Sequence, residues 1–308
     1  MSKLSTALNV LIHNPENFIR SFYESIRRKK ILRILSDVSY IKLTYRIYFK
    51  KPINLKNPQT FNEKLNWLKL NYRLPIMRTL VDKYDVKQYV YQKLGGDYII
   101  PSLAVWDNYE SIDVTQLPDK FVLKGAHDSS SVVICKNKSD FNLSKYERRL
   151  RASLRSDLYN WGREWPYKDI KKRIIAETLL EDPSGLTDYK FFCFNGKMKC
   201  FKIDFDRFEE HRANYYDENA KLMDIGEVVC PPDFREYQMP ANLDEMIRLA
   251  EKLSEGFPFV RVDFYNVSGK IYFGEMTFFP AAGFGVFTTE EADALLGSWL
   301  KLSEIKIK

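Results

Sequence analysis

The 308-residue chain has few of the residues that build disulfides, thiol sites and structural zinc sites, with four cysteines and three histidines. The cysteines have neither CxxC spacing nor a histidine cluster beside them in the sequence. This pattern predicts free, buried thiols in a reducing cytoplasm and argues against structural zinc. The cysteines are Cys135, Cys193, Cys200 and Cys230.

Long apolar segments are also missing. No apolar run approaches the roughly 18 residues that a membrane-spanning helix needs. Residues 1–14 lack a basic start, an apolar stretch and a small-residue cleavage site, so no secretory signal is predicted and a cytoplasmic protein is expected. The hydrophobic content of 45% and aromatic content of 15% are typical of a folded globular protein. The length allows two or three subdomains around one substantial core.

The net charge of +7 is unevenly distributed. Residues 1–56 hold 12 Lys/Arg and 3 Asp/Glu, a balance of +9, whereas the remainder holds 36 and 38, a balance of −2. The densest cluster runs from Arg27 to Lys30 and continues to Arg33. It fits either a solvated helical face or a surface that docks on an anionic membrane, such as the inner face of the cell membrane, or on an acidic polymer. No base-reading motif accompanies it, so nucleic acid is not expected as a partner.

Helical patterns dominate the first third of the chain. Pro15 fits the first turn of a helix, and the capping and periodicity signals place further helices downstream. Helices are predicted at 3–12, 16–30, 31–48 and 61–71, with a helix pair in 75–94 and a connector at 50–60. Beyond Gly95-Gly96 the pattern changes to short apolar runs typical of strands. Strands are predicted at 98–101, 121–124, 132–135, 173–177, 189–194 and 198–204, and helices at 143–160 and 243–255. Asn195-Gly196 is the strongest hairpin signal, and the whole predicts an α+β fold with antiparallel hairpins.

A second hairpin carries the most informative pattern. Arg261-Val-Asp263-Phe and Glu275-Met-Thr277 lie on two strand-like runs joined by a turn at 266–270. Pairing these strands brings Asp263 and Glu275 to the same end of one sheet. Two carboxylates so close repel unless a cation lies between them, and oxygen ligands favour magnesium. The alternative is a pair of solvated carboxylates on an ordinary hairpin.

Two further segments suit a nucleotide. Lys124 ends a buried strand and leads into the small-residue segment Gly125–Ser131, where an ammonium group and loop amides could meet phosphate oxygens; an ordinary serine-rich turn is the alternative. Glu177 ends another strand, whose following backbone could pair with adenine while Asp188 takes the ribose hydroxyls. His127 could contact the γ-phosphate or the acceptor, or brace the loop.

The order of these motifs resembles the ATP-grasp superfamily of carboxylate–amine ligases, and more closely its TupA-like group. That group is linked to teichuronopeptide and other bacterial surface-polysaccharide gene sets, and its members are often labelled glycosyltransferases. The resemblance covers roughly residues 57–302. It is carried by Asp82-Lys83, Phe61–Trp67, Phe121–Ser131, Arg163–Tyr167, Asp188–Gly196 and Arg261–Pro280.

The resemblance implies an ATP-grasp domain at 57–308 behind a basic helical region at 1–56. Its parts would be 57–118, a lid-like ATP-binding subdomain at 119–180 and a metal and catalytic subdomain at 181–308. It implies ATP and Mg²⁺ as cofactors. The implied ATP-binding residues are Lys83, Lys124, His127, Ser129, Ser130, Ser131, Glu177, Thr178, Leu179, Leu180, Asp188 and Lys190. The implied metal ligands are Asp263, Glu275 and Thr277, and the implied catalytic residues are Arg261, Arg207 and Lys124.

The chemistry implied is amide formation through an acyl phosphate, which requires no side-chain nucleophile. The expected substrates are a uronic acid carboxylate of a surface polysaccharide or its precursor, and an amino acid or amine; a homodimer is compatible with the family. A glycosyltransferase, for which Asp204-Phe-Asp206 has the DxD spacing, is one alternative. An inactive adaptor is the other, because Asp128 and Ser129–Ser131 stand where glycines are usual and Thr277 replaces a metal-binding asparagine.

Overall fold

The structure is a computed structural model that describes residues 15–28, 31–129, 131–183, 185–205 and 211–305. The helix predicted at 3–12 lies outside the described residues. The helices are α1 (Pro15–Arg28), α2 (Asp37–Phe49), α3 (Phe61–Asn71), α4 (Ile76–Val81), α5 (Val86–Leu94), α6 (Glu147–Leu154), α7 (Leu158–Gly162), α8 (Leu243–Ser254) and α9 (Glu290–Trp299). A 3₁₀ turn at Ile31–Ile34 precedes α2. Within the described ranges, no helix combines the length and the hydropathy needed to cross a membrane.

In the part of the chain that the structure describes, ten strands form two antiparallel sheets, which agrees with the predicted α+β class. The strands are β1 (Ser102–Trp106), β2 (Phe121–Gly125), β3 (Val133–Cys135), β4 (Ile174–Thr178), β5 (Thr187–Phe194), β6 (Lys197–Phe205), β7 (Arg212–Asp217), β8 (Leu222–Met223), β9 (Phe259–Val267) and β10 (Lys270–Thr277). The smaller sheet has the order β1-β4-β2-β3, and the larger sheet has the order β10-β9-β5-β6-β7-β8.

Local signals account for the elements predicted most accurately. Helix α3 begins after Thr60, whose hydroxyl accepts from the Glu63 amide while the Glu63 carboxylate accepts from the Thr60 amide, a complete capping box. The β5–β6 hairpin turns at Asn195 and Gly196, both with positive φ, as a two-residue turn of this sequence requires.

The strand predicted at 98–101 was wrong, because the first strand of the smaller sheet is Ser102–Trp106. Tyr98 and Pro101 lie outside the ladder: their carbonyl oxygens accept from Phe273 N (2.7 Å) and Thr178 N (3.2 Å). The helix predicted at 31–48 is interrupted, since Ser36 starts a new helix by accepting from Ser39 N at 3.2 Å. Strands β7 and β8 and helix α9 were not predicted.

The main core lies between the larger sheet and the helices packed on one face. Phe191, Phe201 and Phe264 are buried there, and α8 packs across β5, β6 and β9. All four cysteines are free and buried, as predicted. The opposite face of this sheet carries the charged residues described below, so the core helices hold that face rigidly in place.

The N-terminal region packs against the C-terminal half. Tyr40, Ile41 and Tyr45 form a buried cluster with Ala282 and Phe284. This cluster places α2 against the loop that follows the β9–β10 hairpin, so the basic region contributes to the core of the molecule.

Arg27 is buried, and it is not part of a solvated helical face as one alternative held. Its guanidinium donates to Tyr40 Oη at 2.8 Å and to the Trp161 carbonyl at 3.0 Å, and it lies over the Trp161 ring. Its Nη1 also donates to Glu24 Oε1 at 3.1 Å. These contacts fasten helix α1 to the rest of the protein and leave Arg27 unavailable for a docking surface.

Candidate active site

The β9–β10 hairpin brings the two predicted carboxylates together, with Glu275 directly opposite Asp263 in the register. Phe273 pairs with Phe264, and the extra residue between the two pairs is Gly274, a bulge. Without the bulge, Phe273 and Glu275 would face the same side, because strand side chains alternate. The bulge turns Glu275 onto the charged face. A Cβ on Gly274 would lie 3.1 Å from the Asp263 carbonyl oxygen, so a glycine suits this close approach.

Arg261 joins the polar groups of this hairpin. Its Nε and Nη2 donate to the two Asp263 carboxylate oxygens, each at 2.7 Å, and Nη2 also reaches Glu275 Oε1 at 2.9 Å. The same Nη2 donates to Thr277 Oγ1 at 3.1 Å. Burial disfavours the charged guanidinium, but the Asp263 and Glu275 charges prevail and raise the pKa of Arg261. Arg261 therefore contacts three predicted site residues, Asp263, Glu275 and Thr277.

Lys190 on β5 is the second cation of the charged face. Its Nζ donates to Asp188 and, at 2.8 Å, to Asp263 Oδ2, and it lies 3.6 Å from Asp204 Oδ2. The register explains the meeting, since Lys190 pairs with Asp263 and Asp188 with Asp204. The three carboxylates outweigh the cost of burying the ammonium and raise the pKa of Lys190.

Lys83 connects this face to the predicted phosphate loop. Its Nζ lies 3.3 Å from Glu275 Oε2 and donates to the Asp128 carbonyl at 2.6 Å, while its backbone amide donates to Ala126 O at 2.7 Å. Burial raises the pKa of Glu275, but Lys83 and Arg261 more than offset this, so the pKa of Glu275 is well below its ordinary value. Glu275 is thus ionised at neutral pH.

The predicted phosphate loop, Gly125–Ser131, is closed by its own side chains. Ser131 Oγ donates to Asp128 Oδ1 at 2.5 Å and accepts from the Gly125 amide at 2.6 Å. The Asp128 carboxylate is therefore held by the loop. A Cβ on Gly125 would lie 2.2 Å from Ser153 Oγ, which explains the glycine at the loop start. Ser129 is exposed, and Ser130 lies outside the described residues.

His127 is buried and contacts the helix behind the loop. Its Nε2 lies 2.9 Å from Ser156 Oγ and 3.1 Å from the Ser153 carbonyl oxygen. These contacts correspond to the bracing alternative; contact with a phosphate or acceptor stays a prediction. Burial lowers the pKa of His127.

Glu177 and Lys124 meet on the smaller sheet. Lys124 Nζ pairs with Glu177 Oε2, and Lys87 Nζ lies 2.6 Å from Glu177 Oε1. Burial opposes ionisation of Glu177, but these two lysines prevail and lower its pKa. Lys87 was not predicted as a site residue, although it lies only four residues after Lys83. Lys87 also donates to the Ile100 carbonyl at 2.7 Å.

The other predicted nucleotide residues follow Glu177. The Thr178 amide donates to the Pro101 carbonyl at 3.2 Å, and Leu179 and Leu180 are half-buried beyond the end of β4. Arg207 lies outside the described residues. The predicted residues thus form two groups, one on each sheet, and Lys83 contacts both the loop of the smaller sheet and Glu275 of the larger one.

A comparison of the sequence with models of known protein families identifies the family of this chain. The model of the TupA-like ATPgrasp family matches residues 63–301. The chain belongs to the TupA-like ATP-grasp family. This match confirms the predicted fold, two α+β parts of the ATP-grasp type. No curated protein matches this TupA-like chain.

Solved structures similar to the TupA-like chain include three ligases. The ATP-grasp ligase PsnB, in complex with a minimal precursor, is 11% identical with a TM-score of 0.40, over 67% of this chain and 55% of that one. The D-alanine–D-alanine ligase from Bacillus anthracis is 18% identical with a TM-score of 0.37, over 65% and 57%. The D-cycloserine synthetase DcsG is 18% identical with a TM-score of 0.38, over 74% and 72%. The chain spans little more than half the length of the first two.

Proposed function

We propose that this TupA-like protein is an ATP- and Mg²⁺-dependent ligase that joins a carboxylate to an amine. The observation that supports this most directly is the Asp263–Glu275 pair, held by Arg261 and connected by Lys83 to the phosphate loop. The PsnB ligase has been solved with Mg and ADP, which agrees with the same cofactors here.

The residues present fit a magnesium ion. Asp263 and Glu275 offer carboxylate oxygens, Thr277 adds a hydroxyl within the same group of contacts, and hard oxygen donors are what Mg²⁺ prefers. When bound there, the ion would stabilise negative charge on the phosphoryl group being transferred. Arg261, Lys190 and Lys83 already occupy these carboxylates, so binding of metal and nucleotide would exchange these partners.

The chain's own residues would then act on charge and position. Lys83 would exchange Glu275 for a phosphate oxygen, because its carbonyl partner, Asp128, is on the phosphate loop itself. Lys124 would do the same at the other end of the loop, where Glu177 now holds it. Arg261 would stabilise the charge that develops on the activated carboxylate and on its tetrahedral adduct with the amine. Phosphate would leave as the amide forms, and no side-chain nucleophile takes part.

We further propose that the acceptor is a uronic acid of a surface polysaccharide or its precursor, and that the donor is an amino acid or amine. The TupA-like family membership and the balance of +9 in residues 1–56 support this assignment. A glycosyltransferase is less well supported, because Asp204, the first residue of its DxD motif, lies on β6 within an antiparallel sheet and does not follow the βα unit that a nucleotide-sugar site uses. The retention of Asp128 by Ser131 likewise removes one reason to expect an inactive adaptor.

Calorimetry with Mg²⁺ and ATP tests the ligase proposal. Wild-type protein should bind ATP in the presence of magnesium, and Glu275→Gln should lose most of that binding. Glu255→Gln, an exposed glutamate paired only with Lys93 among the described residues, serves as the matched control and should bind as wild type does. UDP-glucose and UDP-glucuronate are the competitors. Tight binding of either, with ATP ignored, would overturn the ligase and favour the glycosyltransferase.

We also propose that the N-terminal region rests on an anionic membrane surface. Large apolar side chains are exposed there, and Ile34 is 88% accessible. The group comprises Ile19, Phe22, Ile31, Ile34 and Val38. Lys42 and Arg46 are exposed on the adjoining helix α2. Apolar residues flanked by basic ones are the pattern of proteins that lie in a membrane interface.

Vesicle sedimentation tests this surface. Ile31→Asp/Ile34→Asp should abolish binding to phosphatidylglycerol vesicles, while Val228→Asp/Val229→Asp, a pair of exposed valines elsewhere, should not. Equal binding by both double variants would refute the proposed surface. Neutralising Arg27 would be a poor test, because that residue holds α1 in place.

A further inference from the structure

A cluster of three different metal-ligand types lies at the far end of the charged face. Asp204 is near the end of β6, His211 immediately precedes β7, and Cys230 follows β8. One ligand atom from each lies within 4.8 Å of the others. This cluster was not predicted, because Cys230 and its nearest histidine, His211, belong to no short metal-binding motif along the chain.

The backbone fixes these three positions. Asp204 pairs with Ala213 across the β6–β7 ladder, which places it beside His211. The Ala213 amide donates to the Pro231 carbonyl at 3.3 Å, and the Cys230 amide donates to the Glu227 carbonyl at 3.1 Å. The loop that carries Cys230 is thus tied to the same strand, so the cluster is part of the fold.

Two atoms of the cluster lack a well-formed hydrogen bond, although both lie in ion-pair contacts. Asp204 Oδ1 and His211 Nε2 are buried and have no hydrogen-bond partner in the part of the chain that the structure describes. They face each other at 3.4 Å. Buried polar atoms normally make hydrogen bonds, so an ion bound between this pair and the buried thiol would supply the short contacts that the 3.4 Å ion pairs do not.

We propose that Asp204, His211 and Cys230 form a site for a transition-metal ion of the Zn²⁺ type, separate from the magnesium carboxylates. Thiolate and imidazole ligands select such ions over Mg²⁺. Zinc bonds of about 2.0–2.3 Å require the three ligand atoms to approach to about 3.5 Å, a small closure of the cluster. Three protein ligands leave one coordination position open. A Cys-His-Asp nucleophilic triad explains this cluster less well. In such a triad one ring nitrogen of the histidine contacts the thiol and the other contacts the carboxylate.

Lys202 limits how tightly the ion binds. Its Nζ lies 3.4 Å from Asp204 Oδ1, and its repulsion of a cation weakens the site. The lysine keeps a second partner, Glu227 Oε1 at 3.0 Å, to which Tyr215 also donates. Metal binding therefore replaces the contact of Lys202 with Asp204 and leaves its contact with Glu227. This site does not depend on the ligase function proposed above.

Cobalt titration of the full chain, freed of metal and reduced with a phosphine, tests the proposal. Co²⁺ should give a thiolate-to-metal charge-transfer band that saturates at one equivalent and that Zn²⁺ removes. Cys230→Ser should abolish the band, and His211→Ala should weaken Co²⁺ binding at least about 10-fold. Cys135→Ser, a buried thiol on the smaller sheet, is the matched control and should keep the band, as should Glu275→Gln.

Two results would overturn the site. One is the absence of a thiolate band in wild-type protein whose fold is intact by circular dichroism. The other is a band that survives in Cys230→Ser. Thermal unfolding of each variant without metal verifies that the substitutions leave the fold in place, so a lost band reports a lost ligand.

Discussion

Replacing Lys190 with methionine tests whether one buried ammonium holds the charged face together. Methionine keeps most of the length and apolar stem of lysine and removes its charge. The variant leaves Asp188 without the ammonium beside it and takes from Asp263 a contact of 2.8 Å. Asp263 retains Arg261, and Asp204 retains Lys202, so each of these two carboxylates keeps one cation.

The expected magnitude follows from burial. Two unit charges 2.8 Å apart attract by about 6 kcal/mol at an effective dielectric constant of about 20, and desolvation offsets much of this. Removing one partner of a buried pair typically costs about 3–5 kcal/mol. Because Arg261 and Lys202 remain, we expect the lower end, about 3 kcal/mol of unfolding free energy. The raised pKa of Lys190 means that its contribution is complete below about pH 10.5 and is lost only as the pH rises through the folded-state pKa.

Urea unfolding at pH 7.5 is the assay, and Lys197→Met is the matched control. Lys197 also lies on a strand of the same sheet and pairs with Glu251, but its side chain is 71% exposed, against 7% for Lys190. Exposed pairs contribute about 0–1 kcal/mol. If both variants lost the same small amount, Lys190 would not hold the carboxylates as described, and the reasoning would be refuted.

Three further substitutions follow from contacts described above. Gly125→Ala places a Cβ against Ser153, so it should lower the unfolding free energy by about 1–3 kcal/mol in urea and weaken ATP binding in calorimetry. Unchanged stability and ATP binding would show that the loop adjusts to the extra methyl group without cost. Thr60→Ala should cost about 1 kcal/mol in the same unfolding assay without affecting ATP binding. Because folding lowers the pKa of Glu177, its carboxylate stabilises the protein above the pKa of the unfolded state, and this stability is lost as the pH falls through the folded-state pKa. Glu177→Gln should therefore flatten the acid side of a plot of unfolding free energy against pH. An unaltered slope would contradict the role of its two lysines.

Sequence reasoning succeeded where the signal is local. The capping box at Thr60 and the Asn195-Gly196 turn are complete within a few residues, and the elements they begin or join were predicted closely. Strand β7 was missed because Arg212–Asp217 is rich in polar residues and lacks an apolar alternation. Tertiary pairing, and not propensity, makes it a strand.

For the candidate site too, local signals were predicted and contacts between distant residues were not. The hairpin predicted that Asp263 and Glu275 lie close together. It did not predict the bulge at Gly274, which turns Glu275 onto the charged face. The sequence pattern placed Asp188 beside Lys190 but not the other carboxylates, since Asp263 is 73 residues away and reaches Lys190 only through the pairing of β5 with β9. Local patterns identified which residues could bind a nucleotide; the sheet register determines which of them hold one another.

The burial of Arg27 against the Trp161 ring has a practical consequence for where the protein can be truncated. The family match begins at residue 63, which invites a chain shortened to residues 57–308. Such a chain would lose Tyr40 and Ile41, and Phe284 would be left facing water. We expect that shortened chain to aggregate on expression, so that insolubility, and not loss of catalytic residues, would explain its inactivity.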